Sequence, residues 1–157
     1  MPRARRVDAA TVRPLRTLVL RPTWEPGRLA TYPEDETVAV HVAAYADGAA
    51  EPDGVGTVYA EPPPDAHRGE IPDAAYAPAA AWRLRGMATS DAARGTGLGR
   101  VVLEECFAVV REGGGQFLWC NARLVAVPFY ERLGMACVGP EFDIPDIGPH
   151  YVMWREV

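Results

Sequence analysis

Two long segments of the chain carry apolar residues with a helical period. In the first, Asp8 is a candidate N-cap, and Pro22 ends the helix. The apolar residues assigned to one face of this helix are Val12, Leu15, Leu18 and Val19. Pro14 must lie in the first turns or kink the helix. The second segment ends at Gly113–Gly115, and its apolar stripe comprises Leu98, Val101, Val102, Cys106, Val109 and Val110.

Most of the remaining apolar segments either alternate apolar with polar residues or are rich in β-branched and aromatic residues. Both patterns are typical of strands. Two Asp-Gly turn signals lie within TVAVHVAAYADGAAEPDGVGTVYA, which is predicted to form two strands. Further strands are predicted over ARRV, AWRLRGMAT, QFLWCNA, MACVGPEFDIP and HYVMWREV. A short helix over VAVPFYERL, ended by Gly134, tolerates Pro128 only near its first turn. The order β-α-β-β-β-α-β-α-β-β predicts a mixed α/β (α+β) fold in a single domain, residues 1–157.

Composition excludes several classes of function. A chain of 157 residues suits one domain, and its net charge of -5 argues against a general nucleic-acid binder. No apolar run approaches the ~20 residues that span a bilayer. The N-terminal stretch lacks the apolar region of a secretory signal, so a cytoplasmic location is the default expectation. All 16 basic residues are arginine, which excludes lysine Schiff-base chemistry and a Walker-type phosphate lysine.

The cysteines and one long connection offer little chemistry. The 3 cysteines lack CxxC spacing and support neither a disulfide framework nor a zinc site, so no metal is expected. Cys106 and Cys137 lie in apolar runs and are expected to be buried. The Pro- and Ala-rich connection 61–80 shows no periodicity, and connections of this length are usually functional or disordered.

The stretch ARGTGLGR places glycines at alternate positions where the second long helix begins. It lacks the Lys and Ser/Thr of a Walker loop, and its G-x-G-x-G spacing is not the G-x-G-x-x-G of dinucleotide folds. A plain glycine-rich turn without a ligand is one alternative. The other is an anion site, because Gly95, Gly97 and Gly99 would leave the unpaired amides of a first helical turn bare, with Arg94 beside them. Such a turn predicts a cradle for a pyrophosphate.

Two motifs in this chain resemble those of the GNAT superfamily of acyl-CoA-dependent N-acetyltransferases. Residues Arg94–Gly99 match its Q/R-x-x-G-x-G/A signature, and the later AVPFYERLGM is similar to its A-x-x-F-Y-x-x-x-G motif. The element order resembles the family over nearly the whole chain, with 61–80 as the poorest fit. The blocks WCNAR and FDIPDIGPHY resemble a small bacterial subgroup whose substrates are mostly undefined. The resemblance implies a central mixed, mostly antiparallel sheet flanked by helices, with strands splayed at the acetyl-CoA site.

The resemblance also implies which residues bind acetyl-CoA, the expected cosubstrate. The backbone of the strand before the glycines would pair with the pantetheine arm of the cofactor. The implied cofactor-binding residues are Met87, Ala88, Thr89, Arg94, Gly95, Thr96, Gly97, Leu98, Gly99, Arg100, Asn121 and Phe129. Where the family often has Asn, this chain has Arg123, so the pantetheine contact falls to either Asn121 or Arg123.

Acetyl transfer from a thioester to an amine needs a neutral amine, a polarised carbonyl and a proton for the departing thiolate. A backbone N–H near Met87 would stabilise the oxyanion. Tyr130 faces the sulfur in the resemblance and is the candidate general acid, because a phenol stays protonated at neutral pH. The alternative for Tyr130 is an aromatic packed in the core. His150 is a candidate base or acceptor contact, or it simply caps its turn. His41 could face the acceptor cleft from its strand, but a structural role is the simpler interpretation.

Several features bear on the acceptor without identifying it. The acids Glu141, Asp143 and Asp146 would suit a cationic amine or form a solvated loop. Arg83 and Arg85 would bind an acceptor carboxylate or pair with surface acids.

The sequence therefore predicts an acetyl-CoA-dependent N-acetyltransferase that acts on a primary amine of a small molecule or peptide by direct attack on the thioester. A CoA-binding sensor or partner-binding module without turnover is the alternative, and a nucleotide-binding protein is disfavoured. The expected partners are acetyl-CoA and an amine acceptor, with no nucleic acid and no membrane. The two closing strands are a candidate homodimer interface.

Overall fold

The computed structural model describes residues 2–157, and its elements follow the predicted order. The strands are β1 (Ala4–Val7), β2 (Val40–Ala44), β3 (Gly54–Ala60), β4 (Ala81–Thr89), β5 (Phe117–Arg123), β6 (Ala136–Ile144) and β7 (Gly148–Glu156). The helices are α1 (Ala9–Leu20), α2 (Leu98–Glu112) and α3 (Val127–Arg132). The strands form a seven-stranded sheet of order β1-β2-β3-β4-β5-β7-β6. This mixed α/β fold with a mostly antiparallel sheet confirms the predicted fold class.

The chain folds as two compact units, and the first comprises the chain up to Tyr59 together with Arg85–Val109. In this unit β2 is antiparallel to both β1 and β3. The second unit comprises Ala60–Leu84 and Val110–Val157. There, the start of β4 runs parallel to β5, and β7 is antiparallel to β5 and β6.

Helix α1 supplies one side of the core of the first unit. Asp8 caps the helix as predicted, because its Oδ1 accepts hydrogen bonds from the Thr11 amide and hydroxyl at 3.0 and 2.6 Å. Pro14 lies inside the helix. The buried cluster consists of Val12, Leu15, Ala43, Val55 and Ala88. Leu18, which was predicted to share this face, is 68% exposed, and Arg16 is fully buried instead. The reason is the period of 3.6, which puts residue 16 on the stripe of residues 12, 15 and 19 and residue 18 outside it.

The connection 61–80 helps to form the core of the second unit. It contains two short 3₁₀ turns, Asp65–His67 and Asp73–Tyr76. Ile71 and Ala75 are 1% and 0% exposed and join the cluster that contains Phe117 and Trp119. The segment is therefore a structural part of the unit, a role that neither alternative drawn from its sequence included. Its lack of periodicity follows from its short turns, which have no repeating face.

Two of the three cysteines are buried. Cys106 and Cys120 are buried, whereas Cys137 on β6 is exposed, so the expectation of burial was wrong for Cys137. Burial raises the pKa of the Cys106 and Cys120 thiols to about 12. Within residues 2–157, no group of three or more His, Cys, Asp and Glu side chains is arranged to hold a metal ion. In the same range, no helix is both long and apolar enough to cross a membrane.

Candidate functional site

The glycine turn, residues Arg94–Gly97, precedes α2. Gly95 and Gly97 have φ angles of 76° and 86°, in the left-handed region that glycine adopts readily. A right-handed helix cannot contain such residues, so α2 begins at Leu98. Of the three predicted first-turn glycines, only Gly99 lies within the helix. The expectation was wrong for Gly95 and Gly97, which shape the approach to the helix instead.

The glycine turn leaves space beside the start of α2. A Cβ atom on Gly95 or Gly97 would have no heavy atom within 4 Å. The first N–H groups of an α-helix have no partner within the helix and lie at the positive end of its dipole. Leu98, at 3% exposure, anchors this end of α2 in the core. The Thr96 amide already donates to the Ala93 carbonyl at 3.1 Å, but the space beside Gly95 and Gly97 lets an anionic group approach the first amides of α2.

Both arginines predicted at the turn form exposed ion pairs. Arg94 Nη2 lies 3.2 Å from Asp91 Oδ1, and the two side chains are 67% and 92% exposed. Arg100 Nε lies 2.8 Å from Glu104 Oε1, in a pair of 66% and 52% exposure. Exposed pairs of this kind contribute only ~0–1 kcal/mol. Each guanidinium can therefore exchange its carboxylate for a phosphate at small cost.

The end of β4 lies in the same unit as the glycine turn. Ala88 is buried in the α1 cluster, while Met87 and Thr89 are only partly buried. Because side chains alternate along a strand, Met87 and Thr89 project from the face opposite Ala88. Ser90 then donates from its amide to the Asp53 carbonyl at 2.8 Å and from its hydroxyl to Asp53 Oδ1 at 2.9 Å. These bonds hold the chain between β4 and the glycine turn.

Helix α3, in the second unit, carries Phe129 and Tyr130. Pro128 lies at the start of this helix, as predicted. Tyr130 is 5% exposed, and its ring meets the Phe129 ring edge-on, with centroids 5.2 Å apart and planes at 68°. Both roles considered for Tyr130, a general acid and a packed aromatic, are compatible with this position.

The end of β5 and the start of β7 gather three of the predicted residues in the second unit. Asn121 and Arg123 are two residues apart on β5 and therefore share a face. His150 on β7 is the direct partner of Arg123 in the antiparallel register. His150 Nδ1 lies 2.7 Å from the Gly148 carbonyl oxygen. Since a carbonyl only accepts, Nδ1 carries a proton and donates it to Gly148, which fits a turn-capping role for His150.

The acids near His150 in sequence are exposed. Glu141 and Asp143 lie on β6, and Asp146 lies in the turn before β7. No ion pair involves any of the three among residues 2–157. They remain available to solvent or to a cationic group.

His41 differs from His150 because both of its ring nitrogens are engaged. Nδ1 lies 2.8 Å from Thr57 Oγ1, and Nε2 lies 2.8 Å from the Asp35 carbonyl oxygen. The side chain is buried, at 3% exposure. His150 is buried to a similar degree, at 4% exposure, so it is the engagement of both ring nitrogens that excludes His41 from proton exchange with a substrate. The structural interpretation of His41 therefore stands.

Sequence reasoning missed the buried network to which His41 belongs. We define the Arg16 network as Arg16, Asp35, Thr57 and His41. Arg16 donates to Asp35 Oδ2 and Oδ1 at 2.9 and 3.1 Å and to Thr57 Oγ1 at 2.8 Å. Burial alone would raise the pKa of Asp35, but hydrogen bonds from Arg16, the Tyr32 amide and Arg13 outweigh it and lower that pKa. The available signal was an arginine inside the apolar stripe of α1.

Comparison with known proteins identifies the class to which this fold and these motifs belong. The model of the acetyltransferase (GNAT) family matches residues 11–135, which is most of the chain. The protein therefore belongs to the acetyltransferase (GNAT) family, as the resemblance in its motifs implied.

Individual relatives agree with this assignment. The uncharacterized N-acetyltransferase YitI of Bacillus subtilis (strain 168) is 42% identical over 77 residues, which are 49% of this chain and 52% of YitI. The match thus spans about half the length of that relative. The structure of NAA60 of Arabidopsis thaliana, solved in complex with acetyl-CoA, matches with a TM-score of 0.74 at 12% identity. The match covers 100% of this chain and 99% of the NAA60 chain. Escherichia coli ElaA has a TM-score of 0.71 at 15% identity, covering 99% of this chain and 100% of its own. At these identities the two structures support the fold.

Proposed function

We propose that the protein is an acetyl-CoA-dependent N-acetyltransferase that acetylates a primary amine of a small molecule or peptide. The observation that carries the proposal is the open glycine turn, where two left-handed glycines leave the first amides of α2 uncovered. Membership of the acetyltransferase (GNAT) family supplies the reaction class. A cytoplasmic location and a homodimer through the closing strands remain predictions.

The residues of the first unit fit acetyl-CoA in two places. The pyrophosphate would bind the amides of Gly95 and of Gly97 to Gly99, because the Thr96 amide already donates to Ala93, and Arg94 and Arg100 would supply positive charge from exposed side chains. The pantetheine arm would pair with the backbone from Met87 to Thr89 as an added strand, which orients the thioester without charged groups. A backbone N–H near Met87 would then stabilise the developing oxyanion.

The residues of the second unit supply the proposed acid–base groups. His150 would accept the amine proton at Nε2, since its Nδ1 already donates to the Gly148 carbonyl. Tyr130 would donate its phenolic proton to the thiolate of CoA. Phe129 supports the Tyr130 ring by edge-on packing. Asn121 or Arg123 would contact the pantetheine arm.

Direct attack on the thioester is favoured over an acyl-cysteine intermediate. Burial holds the pKa of Cys106 and Cys120 at about 12, so both thiols are neutral near pH 7. Burial and the Glu131 carboxylate also raise the pKa of Cys137. In direct attack the amine nitrogen bonds to the acetyl carbon, the carbon–sulfur bond breaks, and the released thiolate takes a proton.

Thiol release from acetyl-CoA over a panel of primary amines tests the proposal. We expect turnover, and we expect Tyr130→Phe to lower kcat about 100-fold without changing the KM for acetyl-CoA, because only the proton donor is lost. Tyr76→Phe is a matched control, since the Tyr76 hydroxyl in the same unit donates to the Pro64 carbonyl at 2.9 Å.

Two results of this assay would count against the proposal. An unchanged kcat in Tyr130→Phe would remove Tyr130 as the acid. Acetyl-CoA binding without thiol release from any amine would favour the alternative of a CoA-binding module.

A further inference from the structure

Two guanidinium groups lie over one aromatic ring in the first unit. Arg16 Cζ is 4.2 Å from the centroid of the Tyr32 ring, and Arg85 Cζ is 3.9 Å from it. Stacking of this kind orients a guanidinium and leaves the N–H groups at its edge free to donate. Both guanidinium groups therefore contact the same ring, and the two arginines differ in their other partners.

Arg16 already holds a carboxylate, and Arg85 does not. The terminal nitrogens of Arg16 bind both carboxylate oxygens of Asp35, at 2.9 and 3.1 Å. Among residues 2–157, no hydrogen bond or ion pair is found for the Arg85 side chain, and the Tyr32 ring is its one described contact. Arg13, also near Asp35, is paired with Asp35 and Glu36. Arg85 is thus the cation of this group that lacks an acid.

Arg83 occupies a different environment, although the sequence offered it as an equal candidate. Arg83 Nη1 lies 3.0 Å from Glu61 Oε2, and its guanidinium is 5.0 Å from the centroid of the Trp119 ring. Its charge is therefore already neutralised within the second unit. The two arginines therefore differ. Arg83 pairs with an acid of the chain, whereas no such pair is found for Arg85 among residues 2–157.

The support beneath Arg85 is rigid. The Tyr32 amide donates to Asp35 Oδ2 at 3.1 Å, and Asp35 is locked in the Arg16 network. Gly86, directly after Arg85, has a φ of 62°, and the Arg16 side chain packs where its Cβ would lie. A guanidinium held in this way loses little conformational entropy when it binds a ligand.

We propose that Arg85 binds a carboxylate of the acceptor, so that the acceptor is an amine that also carries a carboxylate, such as an amino acid. The inference rests on the proposed acetyltransferase function. Arg85 precedes Met87, the proposed thioester-binding residue, by two positions on β4, which places both within one unit. A guanidinium binds a carboxylate through two parallel N–H donors, which fixes the orientation of the acceptor as well as its affinity. Because the chain has a net charge of -5, the carboxylate of an acceptor needs such a local cation.

The test uses pairs of acceptors that differ only in the carboxylate, such as lysine with cadaverine, ornithine with putrescine, and phenylalanine with phenethylamine. We expect the wild-type protein to prefer the amino acid of a pair in kcat/KM. Arg85→Gln should raise the KM for that amino acid about 10- to 100-fold and leave the KM for acetyl-CoA unchanged. Arg83→Gln, the matched control on the same strand, should retain the preference for the carboxylate.

A second variant guards against a folding defect. Arg85→Lys keeps the charge but loses the two parallel N–H donors of the guanidinium, so we expect an intermediate KM for the amino acid. The unfolding midpoint of each variant is measured in parallel. Preference of the wild type for the decarboxylated amines would overturn the inference. So would an equal loss for both members of a pair in Arg85→Gln. Failure of the wild type to acetylate any acceptor, with acetyl-CoA bound, would count against the acetyltransferase proposal itself.

Discussion

The Arg16 network and the glycine turn lie in the same unit and treat their polar groups in opposite ways. In the network, Arg16 is fully buried, and its terminal nitrogens donate to Ala30, Asp35 and Thr57, while its Nε alone has no hydrogen-bond partner among residues 2–157. In the glycine turn, a Cβ on Gly95 or Gly97 would meet nothing within 4 Å. Satisfied buried donors stabilise a fold and take no ligand, whereas uncovered donors add little stability and can bind one. The contrast separates a region that stabilises the fold from one that is proposed to bind a ligand.

Breaking the Arg16 network should have the largest effect on stability. Arg16→Met leaves the Asp35 carboxylate buried without its main partner, so we expect a loss of about 3–5 kcal/mol in the free energy of unfolding. Urea denaturation measures it. Arg100→Met is the control, because it removes an arginine from an exposed ion pair and should cost ~0–1 kcal/mol. Equal losses in the two variants would mean that the network does not hold the fold.

A smaller effect is expected where the network meets β4. Gly86 and Gly48 have φ angles of 62° and 77°, so alanine is strained at both, by ~1–2 kcal/mol. At Gly86 the new Cβ would also lie 2.7 Å from Arg16 Nε, whereas at Gly48 it would meet nothing within 4 Å. Gly86→Ala should therefore lower the free energy of unfolding by about 1–3 kcal/mol more than Gly48→Ala. Thermal unfolding of the two variants makes the comparison, and a difference of zero would show that Arg16 does not brace this strand.

Much of the fold could be predicted because its signals are local. The Asp8 cap and the apolar stripes depend on residues within one or two helical turns, and the structure confirms them apart from Leu18, which is exposed. Errors arose where partners are distant in sequence. The helical period places Arg16 on the buried face of α1, but no local pattern reveals that Asp35 and Thr57 bind it there. Connection 61–80 contributes Ile71 and Ala75 to a core whose other members come from β4, β5, β6 and β7.

In the candidate site, too, local features could be predicted from the sequence and contacts between distant segments could not. The glycine turn was found because its motif is contiguous, although the sequence did not show that Gly95 and Gly97 precede the helix. The acceptor side depends on pairings between segments. Arg83 and Arg85 are equivalent in sequence and differ only because Glu61 reaches one of them and Tyr32 the other. Such choices are made by tertiary contacts, which a single sequence does not display.

The affinity of the protein for acetyl-CoA most directly tests the proposed binding of the pyrophosphate at the glycine turn. Gly97→Asp places a carboxylate beside the amides proposed to bind the pyrophosphate. Gly48→Asp makes the same change at a φ of 77°, in a turn with equally open surroundings and no proposed ligand. We expect Gly97→Asp to raise the acetyl-CoA Kd, measured by titration calorimetry, at least about tenfold, since charge-assisted bonds to the pyrophosphate are replaced by repulsion. Gly48→Asp should leave the Kd unchanged, and an unaltered Kd in Gly97→Asp would contradict the account.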